Sequence, residues 1–582
     1  MKKSNLKNNI IGFLLLIAIV IVVNILSEYK FFRIDLTAEK RYSITDISKS
    51  ELNKLDDIVF FKVYLEGDDL PPGFKRLRNS LKEMLNEFIV YGGDNIQYEF
   101  INPNEFTNKK EREEVHKELF KRGLVPITLY EKDDEGSNSQ KTVFPGIIVS
   151  YKDRELAIDL LSNNPLKSPE ENLNNSVSEL EYNLISTIET LGKEYIPTIG
   201  FTTDHGELED KNTYSIKKAL SDFYKVKNVK LNENLSSLSE RRLFDSNKVK
   251  LINKYELLVI AKPTKAFSEK DKFILDQYLM HGGKIMWFLD GTNASMDSLA
   301  HSNAAMAMAN DIRLNDQLFN YGVRVNNDLI QDIQCAKIPA KPVYSGQGRP
   351  QLIPFDWVYF PLINPTINHE IVTNLDIIFS QFASSIDTVH PDPLVKKTVI
   401  LTTSKYTKTV DVPVRLSLDL LNIKIDQNFF RKENLPVAVL LEGSFRSNFI
   451  GRVPASIKDS PLIDFKPESK ETKMLVVSDG EIIKNPTKNI DGKIQPYPTG
   501  YDIYSGIAYA NKDFILNSVS YLLDNSGIIY LRNRQIKLRL LDKTKVSENG
   551  NFWQIINSLI PVILIIIFGI TINIFRKRRY SK

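Results

Sequence analysis

Hydrophobic positions fall in two regimes along the chain: nearly unbroken apolar runs close to each end, and between them the short periods of strands and helices. The first run, Ile10 to Leu26, is interrupted by Gly12 and Asn24, and Lys2, Lys3 and Lys7 precede it without an acidic residue among them. The second, Ile555 to Phe575, has Trp553 at its leading edge and Arg576, Lys577, Arg578 and Arg579 directly behind it. A helix of about 20 apolar residues crosses a hydrocarbon core of about 30 Å, and basic residues collect on the cytoplasmic side. The pattern therefore predicts transmembrane helices at 10–26 and 555–575, cytoplasmic tails at 1–9 and 576–582, and a body on the outer face of the membrane. Ser27-Glu28-Tyr29 offers no small-x-small cleavage pattern, so the first run is expected to remain as an anchor.

Between the anchors the periods change. Tyr42 to Leu55 reads as a helix with Ser43 or Thr45 as its cap, Ile58 to Leu65 as a buried strand, Pro72 to Tyr91 as an amphipathic helix, and Ile96 to Ile101 as a second strand. Phe74, Leu77, Leu81, Leu85 and Phe88 fall on one face of that helix. A helix at 104–122, a strand opening at Pro126, and strands at 142–150 and 155–159 complete a domain over 42–161 whose order of elements looks thioredoxin-like. Pro126 is a candidate cis proline there. The polar stretch 162–178 reads as a linker, and Val177 to Leu191 as a helix that bridges, within 162–194, to the next domain.

From residue 195 to 545 strands and helices alternate: strands at 195–201, 226–231, 255–261 and 284–289, helices at 213–224 and 268–281. Alternation of this kind predicts a doubly wound parallel sheet of flavodoxin-like or glutaminase-like type, with further strands at 397–402, 437–442 and 474–478 and a helix at 513–523. Long irregular stretches near 336–365, 443–472 and 485–500 stand out, since loops of that length are uncommon in compact domains.

Composition narrows the function classes. The net charge of +4 is small for 582 residues and resides partly in the two flanks, so no nucleic-acid partner is implied. A single cysteine, Cys335, excludes an intramolecular disulfide and a Cys-x-x-Cys redox pair, and it is expected to be a buried, small apolar residue.

Ligands collect at the carboxyl ends of parallel strands, so the turn Thr202-Thr203-Asp204-His205-Gly206-Glu207 is the best candidate site. Asp204, His205 and Glu207 could serve as acid, base or ligand, and Asp290 and Asp479, at the ends of two other strands, could converge on the same edge. Such turns also favour Asp, Gly and His for capping and positive φ alone. The other histidines, His116, His281, His301, His369 and His390, form no His-x-x-x-His pair, there is no Gly-x-Ser-x-Gly elbow, and Gly282-Gly283-Lys284 is an incomplete phosphate loop best read as a helix end. No cofactor, metal or catalytic set is expected.

Several segments carry a resemblance: Arg33 to Ser43, Ala261-Lys262-Pro263, Phe267 to Lys272, Asp276 to Lys284, Asn511 to Asn517 and Leu538 to Asp542. In their order and in the two-anchor layout the chain resembles the gliding-motility-associated ABC transporter auxiliary family, GldG, of Bacteroidetes-type bacteria. The resemblance implies a non-enzymatic inner-membrane subunit with a periplasmic body, partnered by a separate ABC permease and ATPase, and acting as a scaffold or conformational relay. Two other readings stand beside it: a periplasmic module binding an envelope sugar or peptide through loop aromatics such as Trp357, Tyr359 and Phe360, and a hydrolase built on Asp204, His205 and Glu207.

Overall fold

The computed structural model describes residues 11–19, 21–22, 43–67, 70–105, 108–132, 138–161, 167–245, 248–301, 304–340, 352–389, 393–422, 425–490, 492–524, 526–533 and 543–580. Residues 1–534 form one compact unit and residues 535–582 another.

The first domain runs α1 (Asp46–Asn53), β1 (Val59–Val63), α2 (Pro72–Gly92), β2 (Ile96–Phe100), α3 (Lys109–Lys121), the hairpin β3 (Ile127–Lys132) and β4 (Asn138–Val143), then β5 (Gly146–Tyr151), β6 (Arg154–Asp159) and α4 (Pro169–Gly192). Thr45 caps α1 by accepting from the Ser48 amide. The sheet order is β2-β1-β5-β6, with β1 and β2 parallel and the other pairs antiparallel. Phe74, Leu77, Leu81, Leu85 and Phe88 of α2 are buried, as their spacing predicts. The strand expected after Pro126 lies outside this sheet: β3 pairs only with β4. Pro126 is also trans, the one cis bond among the described residues being Val412–Pro413.

Helix α4 begins well before the expected Val177. Ser168 accepts from the Glu171 amide while the Glu171 carboxylate accepts from the Ser168 amide, a reciprocal cap, and Pro169 occupies the first turn, so the part of the polar stretch from Pro169 onward is helix; 162–166 lie outside the described residues. Tyr182 on α4 packs against the cores of both domains, and Ile528 and Leu531 from the far end of the second domain pack into the core of the first.

The second domain is built on a seven-stranded mixed sheet of β7 (Thr198–Thr202), β8 (Lys225–Val229), β11 (Leu257–Ala261), β12 (Lys284–Phe288) and the strands Val395–Thr402, Pro436–Gly443 and Thr472–Val477. Five strands are parallel, in the order Thr472–Val477, β12, β11, β7, β8. Pro436–Gly443 and Val395–Thr402 extend the edge antiparallel, so the sheet is mixed rather than wholly parallel. The turn after β12 leads into a long excursion that supplies them, and antiparallel strands need only short returns. Between β8 and β11 a hairpin, β9 (Ser239–Asp245) and β10 (Lys248–Asn253), stands where a crossover helix is usual.

Alternation along the strands assigns the two faces. Leu257, Val259 and Ala261 face a core with α5 (Asp210–Ser221) and the helix Asn511–Leu523. Leu258 and Ile260 face the opposite core with α6 (Glu269–Met280). The described parts of the first irregular stretch hold regular structure: the strands Cys335–Ala340 and Ile353–Ile363 contribute to a separate core in which Trp357, Tyr359 and Phe360 are buried. These three aromatics are thus not available to stack on a sugar. Cys335 is half-buried rather than buried, and burial pushes its thiol up to about 12.

In the second unit, the helix Lys543–Tyr580 carries Pro561 and a non-helical residue, Asn549. Its segment Phe552–Phe575 is the one described helix long and apolar enough to cross a membrane. Of the expected first span, 11–19 and 21–22 are helical and exposed. The rest of that span, with Lys2, Lys3 and Lys7, lies outside the described residues.

Candidate functional site

In open sheets of parallel strands, the crevice forms where successive strands leave the first in opposite directions. Here β7 is followed by β8 on one side and β11 on the other, so the crevice lies between the turns after β7 and β11. Asp204, His205 and Glu207 occupy the first of these turns. The turn is held tightly, because the Thr264 and Lys265 amides both donate to the His205 carbonyl at 2.9 Å. Gly206 has φ of +70°, and a Cβ there would strike the Thr264 hydroxyl, which instead donates to the Gly206 carbonyl at 3.0 Å.

His205 is 5 % exposed and stacks on Phe267, with ring centroids 3.8 Å apart and planes within 6°. Its Nε2 lies 3.2 Å from Asp271 Oδ2, and its Nδ1 faces Asp204 Oδ1 at 3.2 Å and Glu207 Oε1 at 3.9 Å. Asp271 was not singled out from the sequence. It stands in the first turn of α6, where its amide donates to Ser268, and its other oxygen accepts from the Glu233 amide at 2.9 Å. Burial lowers the His205 pKa, but Asp204, Glu207 and Asp271 outweigh it and hold the imidazole above its ordinary value.

Asp290 and Asp479 belong to a second cluster on the same edge. Lys262, just after β11, reaches Asp290 Oδ2 at 3.1 Å and also pairs with Glu481. Asp290 Oδ1 accepts from the Gly480 amide at 2.6 Å. Gly480 leaves room for Lys262: a Cβ at that position would approach the lysine Cβ and Cγ to 2.6 Å. Asp479 accepts from Ser380 Oγ at 2.6 Å and from the amides of Gln381 and Glu481 at 2.8 and 2.7 Å. Lys262 and Glu481, the pair at the centre of this cluster, were not read as site residues. The signal was present in Ala261-Lys262-Pro263, which carries the resemblance.

Burial would raise the Glu481 pKa, yet Lys262 and Lys484 overcome it and bring the carboxyl down to about 2. Asp479 goes the other way: burial, then the charge of Asp290, push it up to about 7 against its hydrogen bonds. A group whose folded pKa is raised binds more protons folded than unfolded, so stability falls as pH rises from the unfolded value, about 4, towards 7. Urea titrations of the wild-type chain and Asp479→Asn at intervals over that window are expected to show the wild type losing more stability than the variant. Parallel curves would show that Asp479 is not the group responsible.

A cavity of about 540 Å³ lies apart from both clusters, between the two domains, with Tyr182, Asn183, Asp376, Lys512, Asp513 and Arg532 in its wall.

The structure thus defines a mixed α/β protein with polar clusters along the carboxyl edge of an open sheet and, among the described residues, one helix long and apolar enough to cross a membrane. Residues 196–518, more than half of the chain, match the family described as ABC-type uncharacterized transport system, ABC_transp_aux, and the chain belongs to that family. Residues 38–150 match a domain of unknown function, DUF7088. No curated protein sequence matches significantly. Among solved structures, the mmIFT52 N-terminal domain aligns at 16 % identity and a TM-score of 0.31, over 56 % of this chain and 98 % of that one. Family membership makes the protein an auxiliary component of an ABC-type transport system.

Proposed function

We propose that the protein is a non-enzymatic auxiliary subunit of an ABC-type transport complex linked to gliding motility or surface export. It is anchored in the inner membrane with its α/β body in the periplasm, and acts as a scaffold or conformational relay beside separate permease and ATPase subunits. The observation that carries this reading is the pairing of the family match with the helix Phe552–Phe575, which Arg576 to Arg579 follow. An apolar helix ending in basic residues is what a cytoplasmic-side membrane anchor requires. The apolar run at 10–26 supports a second crossing in the opposite direction.

Two further features support a scaffold over a free-standing receptor. The edge where an open sheet would take a ligand is filled at Lys262, Asp290 and Glu481 by the protein's own ion pairs. The two α/β domains also share packing through Tyr182, Ile528 and Leu531, which suits a body that moves or resists as one piece. The order β2-β1-β5-β6 in the first domain supports its thioredoxin-like reading, and the order of the five parallel strands supports the flavodoxin-like reading of the second.

Purification of the intact protein from its host in mild detergent is expected to bring down a multi-span permease and an ATPase. Replacing Phe552–Phe575 by an unrelated transmembrane helix should reduce their recovery while leaving the protein in the membrane. Recovery of neither partner with the intact chain would overturn the proposal.

A further inference from the structure

The crevice between β7 and β11 holds an arrangement that the scaffold reading does not use. Three buried heteroatoms there lack a hydrogen-bond partner: Asp204 Oδ1, His205 Nδ1 and Glu207 Oε1. They face one another, all within 4.8 Å. The Glu207 side chain is 0 % exposed and that of His205 7 %. We propose that Asp204, His205 and Glu207 form a binding site for a divalent transition metal of the zinc class.

The atoms on the far side of each residue are already committed, which leaves these three aimed inward. Asp204 Oδ2 accepts from the Leu231 and Asn232 amides, both at 2.8 Å. Glu207 Oε2 accepts from the His205 amide at 2.6 Å. His205 Nε2 is bonded to Asp271 Oδ2, which Ser268 Oγ also approaches at 3.1 Å. A carboxylate on the remote ring nitrogen is how metal-ligating histidines are oriented: it fixes the proton on Nε2 and turns the Nδ1 lone pair towards the metal.

The carboxylates around Nδ1 call for a positive charge at this point, supplied either by a second proton on the imidazole or by a metal ion. With Nδ1 as a lone pair, it confronts two carboxylate oxygens at 3.2 and 3.9 Å, all largely out of water. Among the described residues no lysine or arginine forms an ion pair with Asp204, Glu207 or Asp271. Buried carboxylates without such a partner are costly unless a proton or a metal stands between them.

Distances and donor types then select the ion. Zinc–nitrogen and zinc–oxygen bonds of about 2.0–2.1 Å in a tetrahedron place neighbouring ligands about 3.3 Å apart. The 3.2 Å pair already has that spacing, and the 3.9 Å pair reaches it with a small rotation of Glu207. One imidazole with two carboxylates suits zinc, cobalt or nickel better than calcium or magnesium, which prefer all-oxygen shells. Three protein ligands leave the fourth position for water or a partner's side chain. The spacing 204, 205, 207 carries no helical His pair; it works because a tight turn folds adjacent residues around one point.

The test uses the full-length, untagged chain in detergent, stripped with a chelator and titrated with zinc by calorimetry and with cobalt by visible absorption. One equivalent of zinc per chain is expected, with a raised unfolding midpoint and a cobalt spectrum of tetrahedral type. Glu207→Gln, nearly isosteric, and His205→Gln should each weaken zinc by about 100-fold or more, beyond the 10–100-fold typical of outer-shell changes, while His116→Gln, remote from the turn, should bind as the wild type does. Failure of the wild type to take up zinc, a cobalt spectrum of octahedral type, or unchanged affinity in Glu207→Gln would overturn the proposal. The last result would leave a doubly protonated His205 as the cation. Because the cobalt spectrum is read on the wild type, poor folding of either variant leaves the proposal open to refutation.

Discussion

Replacing Lys262 by methionine is expected to lower unfolding stability by about 3–5 kcal/mol, the usual cost of removing one partner from a buried ion pair. The lysine side chain is 14 % exposed, and its partners Asp290 and Glu481 are 9 % and 10 % exposed. Methionine keeps the bulk of the stem but leaves buried Asp290 without its ion-pair partner and Glu481 with Lys484 alone. The deficit should shrink as pH falls, because the unpaired carboxylate can then take up a proton. In the wild type the contribution of Glu481, whose pKa is held at about 2, is present above the unfolded value of about 4.3 and is lost only as pH falls through the folded one. Urea unfolding of the full chain in detergent, followed by fluorescence of the buried Trp287 and Trp357, gives the measurement. A loss below about 1 kcal/mol would place Lys262 with exposed pairs, which contribute little. Adding Asp290→Asn to Lys262→Met should recover part of the loss by removing the carboxylate that the first change leaves unpaired.

Asp276→Ala should cost about as much by a different route. This carboxylate is fully buried on α6 and accepts from Ser447 Oγ at 2.6 Å, the Asn448 amide at 2.8 Å, and Tyr321 Oη and Gln277 Nε2 at 2.9 Å. Alanine removes the acceptor of Ser447 Oγ, the Asn448 amide and Tyr321 Oη, while Gln277 Nε2 keeps the Lys466 carbonyl. Each unsatisfied buried group costs about 1–3 kcal/mol, so the three together are expected to cost at least about 3 kcal/mol. The damage should be local at first, because Asp276 and its neighbour Gln277, which exchanges hydrogen bonds with the Lys466 backbone, tie α6 to the segment 444–469. Hydrogen exchange by mass spectrometry should show protection lost in that segment at urea concentrations where the β11 and β12 strands remain protected. Uniform loss across the sheet would show that the segment is not held as a separate unit.

Both residues bear on what the resembling segments mean. Asp276 to Lys284 contains the acceptor just described, Tyr278, whose hydroxyl donates to the Tyr255 and Lys284 carbonyls, and His281, which approaches Asp464 at 3.3 Å. In Phe267 to Lys272, Phe267 stacks on His205, Ser268 caps α6 and Lys272 pairs with Asp316 at 2.8 Å. In these two segments, therefore, the resembling residues chiefly hold the edge of the sheet together. Arg33 to Tyr42 and Leu538 to Asp542 lie outside the described residues.

Local pattern was enough for what local physics governs. The apolar face of α2, the five parallel strands, the cap of α1 and the membrane-length helix all follow from residue spacing, because burial on one face imposes the period directly. Partner choice is another matter. The pairing of β3 with β4 alone, the antiparallel edge and the ordered core around Trp357 depend on contacts between residues far apart in sequence, which no local period encodes. The candidate site divides in the same way. Asp204, His205 and Glu207 were legible because one turn carries all three, and that turn follows a buried strand. Asp290 and Asp479 stand on the same edge but in a separate cluster, since Lys262 draws Asp290 to Glu481 while Asp271, 66 residues from His205, closes the first. The sequence by itself determined which elements form and which faces they bury; only the tertiary structure decided which buried charges meet, because that choice is made by distances across the sheet edge and not along the chain.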